Sequence, residues 1–189
     1  MIRVGVLASG AGTNLQALLD GVHGDAAEIV AVASDRADAR ALERARARDV
    51  PTRVFPLAAY PDRAGRDLAM ADWLAARGVE LVVLAGYMRL LTPGFLRRFP
   101  GRVINVHPSL LPAFPGRTPI EDTLAAGARV SGVTVHLVDE GIDTGPVLLQ
   151  ERVDIAGLAT RDAVHERLRP VEHRLLPEAV RRFAAGELP

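Results

Sequence analysis

Ile2-Arg3-Val4-Gly5-Val6-Leu7-Ala8-Ser9-Gly10-Ala11-Gly12-Thr13-Asn14-Leu15 is the stretch that decides the fold class. Ile2–Ala8 is mostly apolar and suits a buried parallel strand. Ser9–Asn14 is a Gly-rich turn, and Leu15, Leu18 and Leu19 then recur at helical spacing. Strand, tight turn and helix in that order open a βαβ unit. Free amides at such a helix start can hold an anion. Leu15 stands where the third Gly of a dinucleotide fingerprint would be. The turn therefore fits a phosphate cradle and a plain connection capped by Thr13 or Asn14 equally well.

Working outward, the same alternation repeats. Strands are predicted over Glu28–Ser34, Pro51–Phe55, Val79–Leu84 and the run ending at His107. Helices are predicted over Asp38–Arg48, Pro61–Arg77, a short piece from Thr92 to Phe99, and Ile120–Ala126. Leu68, Met70, Trp73 and Leu74 give the second of these a broad apolar face, with Trp73 read as core. Val130–Val138 and Pro146–Ile155 are joined only by the acidic loop Asp139–Gly145, so they are expected to pair antiparallel. Thr160 and Asp162 open a last helix. Pro170 should break or kink it, because proline removes a backbone donor and clashes one turn back. The sum is an α/β chain: a doubly wound, mostly parallel mixed sheet with helices on both faces. Residues 1–189 read as a single domain.

Composition narrows the chemistry. Basic and acidic residues balance at 23 each, so nothing drives the whole chain toward nucleic acid or membrane. Every basic residue is Arg, which removes lysine Schiff-base chemistry. The absence of Cys removes disulfides and thiol catalysis. No apolar run is long enough for a signal peptide or a bilayer span, and a cytoplasmic location is expected.

The reactive groups cluster around Val103-Ile104-Asn105-Val106-His107-Pro108-Ser109-Leu110-Leu111-Pro112. Asn105 and His107 are two apart on a strand and point to one side of it. They lie at a strand's C-terminal end, where open α/β sheets keep their sites. Asp143 in the acidic loop comes close if the neighbouring strands pair. A metal reading is weak, since His107 and His136 are far apart in sequence and no paired-His motif occurs. No G-x-S-x-G occurs either. Asn, His and Asp without metal or nucleophile suit acyl transfer, with amide and imidazolium facing an oxyanion. As a strand-end residue, His107 is expected to stand clear of the core. A side chain at Gly12 is expected to act on phosphate binding. Loss of Asp143 is expected to show in the acid limb of a pH–rate profile. Asp35, about twenty residues past the Gly turn, reads as a ribose acid or more often as a cap of the next helix.

Taken together, these residues resemble the folate-dependent formyltransferases. The resemblance rests on Asn105-x-His107-Pro108-Ser109-Leu110-Leu111-Pro112 followed by Asp143-x-Gly145. Ser9–Gln16, Ala85-Gly86-Tyr87-Met88-Arg89-Leu90-Leu91, Asp139–Asp143 and Glu172-His173 narrow it to the purine-biosynthetic branch, over essentially the whole chain. It implies a Rossmann-like mixed sheet of seven strands. It also implies direct transfer of the formyl group of 10-formyltetrahydrofolate to the amine of glycinamide ribonucleotide, without metal or nicotinamide. Asn105, His107 and Asp143 would be catalytic. Ala11, Gly12, Thr13 and Asn14 would hold the substrate phosphate, and Glu172 the ribose. Arg63, Met88, Arg89, Leu90 and Leu91 would bind the folate, with Asn105 and with Asp139, Glu140, Gly141, Ile142 and Asp143 closing over the pterin. Leu84, Leu96 and Val103 would stand behind that pocket, and Asp35 would be structural. The N-terminal half would then carry substrate contacts, and the C-terminal half the folate and catalytic groups. The implied partners are these small molecules, with no nucleic acid and no membrane; monomer and homodimer stay open. Two alternatives remain on the residues alone: transfer to another amine, on aminoacyl-tRNA or a nucleotide sugar, or a noncatalytic nucleotide- or folate-binding module. Arg117-Thr118-Pro119-Ile120 and Pro170 depart from the family pattern.

Overall fold

In a computed structural model, which describes residues 1–188, seven strands form one sheet. They are β1 (Ile2–Leu7), β2 (Ala27–Ser34), β3 (Thr52–Val54), β4 (Leu81–Leu84), β5 (Val103–His107), β6 (Val130–Leu137) and β7 (Val147–Asp154). The order across the sheet is β3-β2-β1-β4-β5-β6-β7. The first five strands are parallel, while β6 runs antiparallel to β5 and β7 antiparallel to β6. The alternation in the sequence thus yields the doubly wound mixed sheet. The reversal comes one strand earlier than the β6–β7 hairpin alone implies.

Six helices cover the sheet: α1 (Thr13–Gly21), α2 (Arg40–Arg46), α3 (Arg63–Ala75), α4 (Pro93–Leu96), α5 (Pro119–Ala125) and α6 (Arg161–Ala184). Two apolar layers sit on opposite faces. One joins Val4 and Val6 of β1 to Leu15 and Leu18 of α1, Leu42 of α2, and Leu168 and Leu176 of α6. The other joins Leu7 and Val82 to Met70, Trp73 and Leu74 of α3 and Phe95 of α4. Trp73 is core, packed edge-on to Phe55 at 5.8 Å between ring centroids. Leu96 and Val103 lie in this second layer. Leu68 departs from the predicted apolar face, with 44% of its surface exposed.

Local chemistry sets the helix ends. Asp62 caps α3 by accepting from Gly65 N–H at 2.7 Å, and Thr160 caps α6 by accepting from Ala163 N–H at 3.2 Å. Neither Thr13 nor Asn14 caps α1; Gly12 does, in a left-handed conformation with φ 72°. Asp35 caps no helix, and α2 begins only at Arg40 after Ala39.

The expected break at Pro170 does not occur, for α6 runs 24 residues through both Pro170 and Pro177. Each internal proline costs about 3 kcal/mol. Val164, Leu168, Leu175, Leu176, Val180 and Phe183 are all buried on this one helix. At about 1.5–3 kcal/mol per buried apolar side chain, their packing outweighs the two prolines.

The topology positions the site. From β1 the chain moves to β2 on one side, while β4 leads to β5 on the other. The carboxyl ends of β1 and β4 therefore flank a crevice at the point where strand order reverses. The 85–91 loop and Asn105 and His107 of β5 line it, with the Ser9–Asn14 turn alongside and Asn14 reaching in. Among the described residues, no helix is long and apolar enough to cross a membrane.

Candidate active site

Asn105 and His107 share one face of β5, and both line a crevice of about 660 Å³. His107 is only 4% exposed, so it is not clear of the core as its strand-end position suggests. Its Nε2 lies 2.9 Å from the Phe114 carbonyl, and its Nδ1 lies 3.5 Å from Asp143 Oδ2. A carbonyl and a carboxylate are both acceptors only. The doubly protonated ring is the one form that offers a donor to each.

Asp143 closes the cluster from the β6–β7 connection. Burial pushes its carboxyl upward. The hydrogen bond from His136, the Gly116 N–H donating at 2.8 Å and the charge on His107 outweigh that, and hold it below its ordinary 3.8. Asp143 and Phe114 both have left-handed backbones, with φ 54°. Such conformations cost about 1–3 kcal/mol and persist where the surroundings over-determine them. Here they aim a carboxylate and a carbonyl at the same imidazole. A hydrogen-bond network steadies the Pro-rich loop behind it, which runs from Pro108 to Pro119. Thr134 Oγ1 donates to the Ser109 carbonyl at 2.7 Å, and Gln150 donates to Leu111 at 2.9 Å.

His136 belongs to this cluster and is missed by reading the sequence. It sits opposite Asn105 in the β5–β6 register. Its Nδ1 donates to its neighbour's carbonyl, that of Leu137, at 2.8 Å. Its Nε2 faces Asn105 Nδ2 at 3.2 Å and Asp143 Oδ1 at 3.5 Å. The neutral ring accepts from Asn105; the charged ring donates to Asp143. The available signal was strand pairing, since large sequence separation says nothing once two strands are neighbours.

On one side of the cluster lies the Gly-rich turn. Asn14 lines the crevice, and its Nδ2 donates to Glu172 Oε2 at 3.0 Å. Glu172 also lines the crevice. Ala11, Gly12 and Thr13 form the turn beside it but are not part of its lining. Arg44 fixes the turn by donating from Nε to the Ala11 carbonyl at 2.9 Å. Gly12 serves packing: a Cβ there would lie 2.6 Å from Ala41 Cα. With its positive φ, Gly12→Val is expected to destabilise the chain by about 2 kcal/mol or more. Denaturant unfolding reads this, and an unchanged midpoint would refute the packing role. The variant is thus no clean test of phosphate binding.

On the other side are the residues that the family resemblance assigns to the folate. Leu84, Met88, Arg89, Leu90 and Leu91 line the crevice, as does Arg63 at the start of α3. Asp139, Glu140, Gly141, Ile142 and Asp143 line it from the acidic loop, where Asp139 Oδ1 accepts from Thr144 Oγ1 at 2.7 Å. Apolar walls with polar edges suit a flat heterocycle. Arg117, Pro119 and Ile120, which depart from the family pattern, line the crevice too, with Glu121, Arg161 and His165. Among the described residues no group of three or more His, Cys, Asp or Glu could hold a metal ion.

Comparison with known proteins fits this geometry. A family model described as formyl transferase matches residues 2–180. A phosphoribosylglycinamide formyltransferase of Mycobacterium tuberculosis is 48% identical, over 96% of this chain and 85% of that protein. A trifunctional purine biosynthetic protein of Chironomus tentans is 43% identical over 97% of this chain, which spans 14% of it. Among solved structures, glycinamide ribonucleotide transformylase 1 of Symbiobacterium toebii superposes with a TM-score of 0.96. The two are 49% identical, with 98% of this chain and 89% of that one covered.

Proposed function

Because the chain belongs to the formyl transferase family, we propose that it transfers the formyl group of 10-formyltetrahydrofolate to the amine of glycinamide ribonucleotide in purine biosynthesis. One observation carries the reading. A carboxamide, an imidazole and a carboxylate meet between the Gly-rich turn with Glu172 and an apolar pocket rimmed by Arg63 and Arg89. The first flank suits a phosphorylated ribose, and the second suits a reduced pterin.

The reduced folate supplies an electrophilic formyl carbon. The ribonucleotide amine forms the new C–N bond there directly, and the bond to the folate nitrogen breaks. Asn105 Nδ2 and the charged His107 ring act on the formyl oxygen, where negative charge gathers. The amine must lose a proton and the departing folate nitrogen must gain one. Asp143, held as a carboxylate, balances the His107 charge and can accept the proton through water. Glu172, paired with Asn14, is the acceptor for ribose hydroxyls.

A folate-dependent formylation assay with competing amines tests this. Turnover is expected with glycinamide ribonucleotide and not with a methionyl-tRNA amine. Equal turnover with both amines, or none with the ribonucleotide, would overturn the assignment.

A further inference from the structure

Asp35 has no task in the reaction above, yet it is 3% exposed at its side chain and sits between the two flanks of the crevice. Its Oδ1 accepts from Ser9 Oγ at 2.6 Å, and its Oδ2 accepts from Arg89 Nε at 2.8 Å. Ser9 opens the Gly-rich turn. The same Ser9 hydroxyl accepts from Met88 N–H at 2.9 Å, and Ser9 N–H donates to the Gly86 carbonyl at 3.0 Å. One buried carboxylate therefore ties the turn after β1 to the loop after β4, and orients the guanidinium at the mouth of the apolar pocket.

We propose that Asp35 is a positioning residue for folate binding, holding Met88-Arg89 in the pocket wall through its ion pair with Arg89 and its hydrogen bond to Ser9. This rests on the formyl-transfer reading. The physical case is one of rigidity. Ala85 and Tyr87 anchor the start of the 85–91 loop in the core, but its tip has no such anchor: Met88 is 60% exposed and Leu90 53%. A loop tip with little apolar anchorage is ordered by its polar contacts or not at all. Here those contacts converge on Asp35 and Ser9. The buried carboxylate cannot turn to water when Arg89 moves away, so an alternative loop conformation would leave it without its cationic partner.

Asp35→Asn separates the two flanks. The Asn carbonyl oxygen can still accept from Ser9, while its amide meets Arg89 donor to donor. We expect the KM for 10-formyltetrahydrofolate to rise about five- to tenfold, because the Arg89 side of the pair is half-exposed and screened. The kcat and the ribonucleotide KM should stay within about twofold. Arg89→Met should raise the folate KM, and adding Asp35→Asn to it should cost nothing more, since the pair is already broken. An unchanged folate KM in Asp35→Asn overturns the proposal, as does full additivity in the double variant. Should Asp35→Asn fail to fold, Arg89→Met decides alone by hydrogen exchange. Faster exchange of the Met88 amide supports the ordering role, and unchanged exchange refutes it. Failure of the parent protein to bind folate or to formylate the ribonucleotide would instead defeat the formyl-transfer reading.

Discussion

Replacing His107 with Gln is expected to lower kcat about 100- to 1000-fold with little loss of stability. The Gln amide can still donate to the Phe114 carbonyl that His107 Nε2 now meets at 2.9 Å, so no buried acceptor is stranded. What disappears is a positive charge aimed at the formyl oxygen. His107→Ala is the poorer probe. The ring is buried, so its removal would leave a cavity and an unpaired carbonyl, and would mix folding with chemistry. Single-turnover kinetics with a thermal-melt control separate the two. A His107→Gln rate within about threefold of the parent would remove imidazolium from the mechanism.

Asp143→Asn is expected to have the next largest effect, a fall in kcat of about 100-fold. Asn tolerates the left-handed backbone at this position and can still accept from Gly116 N–H, so the loop should hold its shape. Only the charge is lost, and with it the partner of the protonated ring. In the parent the carboxylate must be ionised, and its depressed pKa places the acid limb of the pH–rate profile, which Asp143→Asn should abolish. An unmoved acid limb would take Asp143 out of the proton balance. The same carboxylate bears on stability. Its folded pKa is depressed, so its contribution is present above the unfolded value near 3.8 and is lost as pH falls through the lower folded value. Removing it should cost nothing at the acid extreme and most near neutrality.

How far each feature could be read from the sequence depends on how local its cause is. The Gly-rich turn, the cap at Thr160, and the shared face of Asn105 and His107 follow from periods of a few residues. They appear in the structure much as the chain spells them, apart from the Gly12 cap. His136 is different. Its place beside Asn105, 31 positions away, exists only because β6 reverses against β5. Asp35 reads locally as a cap, and its true partner Arg89 lies 54 positions on. The proline rule misleads at α6 because it weighs backbone cost without the buried apolar stripe that offsets it. The left-handed backbone at Phe114 carries no sequence signal, and Asp143 gives only a weak one, as Asp tolerates that region better than most residues. The roles drawn from family resemblance reach further than spacing did, and the crevice gathers nearly all of those residues.

The Asn14–Glu172 hydrogen bond has a consequence for how the protein comes into being. It joins positions 158 apart, across the packed surface between α1 and α6. A chain made from its N-terminus carries the turn early, while its carboxylate partner arrives only with the final helix. The sheet can assemble strand by strand before that, but the crevice remains open on one flank. Closing it spends the entropy of a very long loop in a single late event. Ligand then has nothing to stabilise in the partly made chain, and its protection should begin abruptly, when α6 docks.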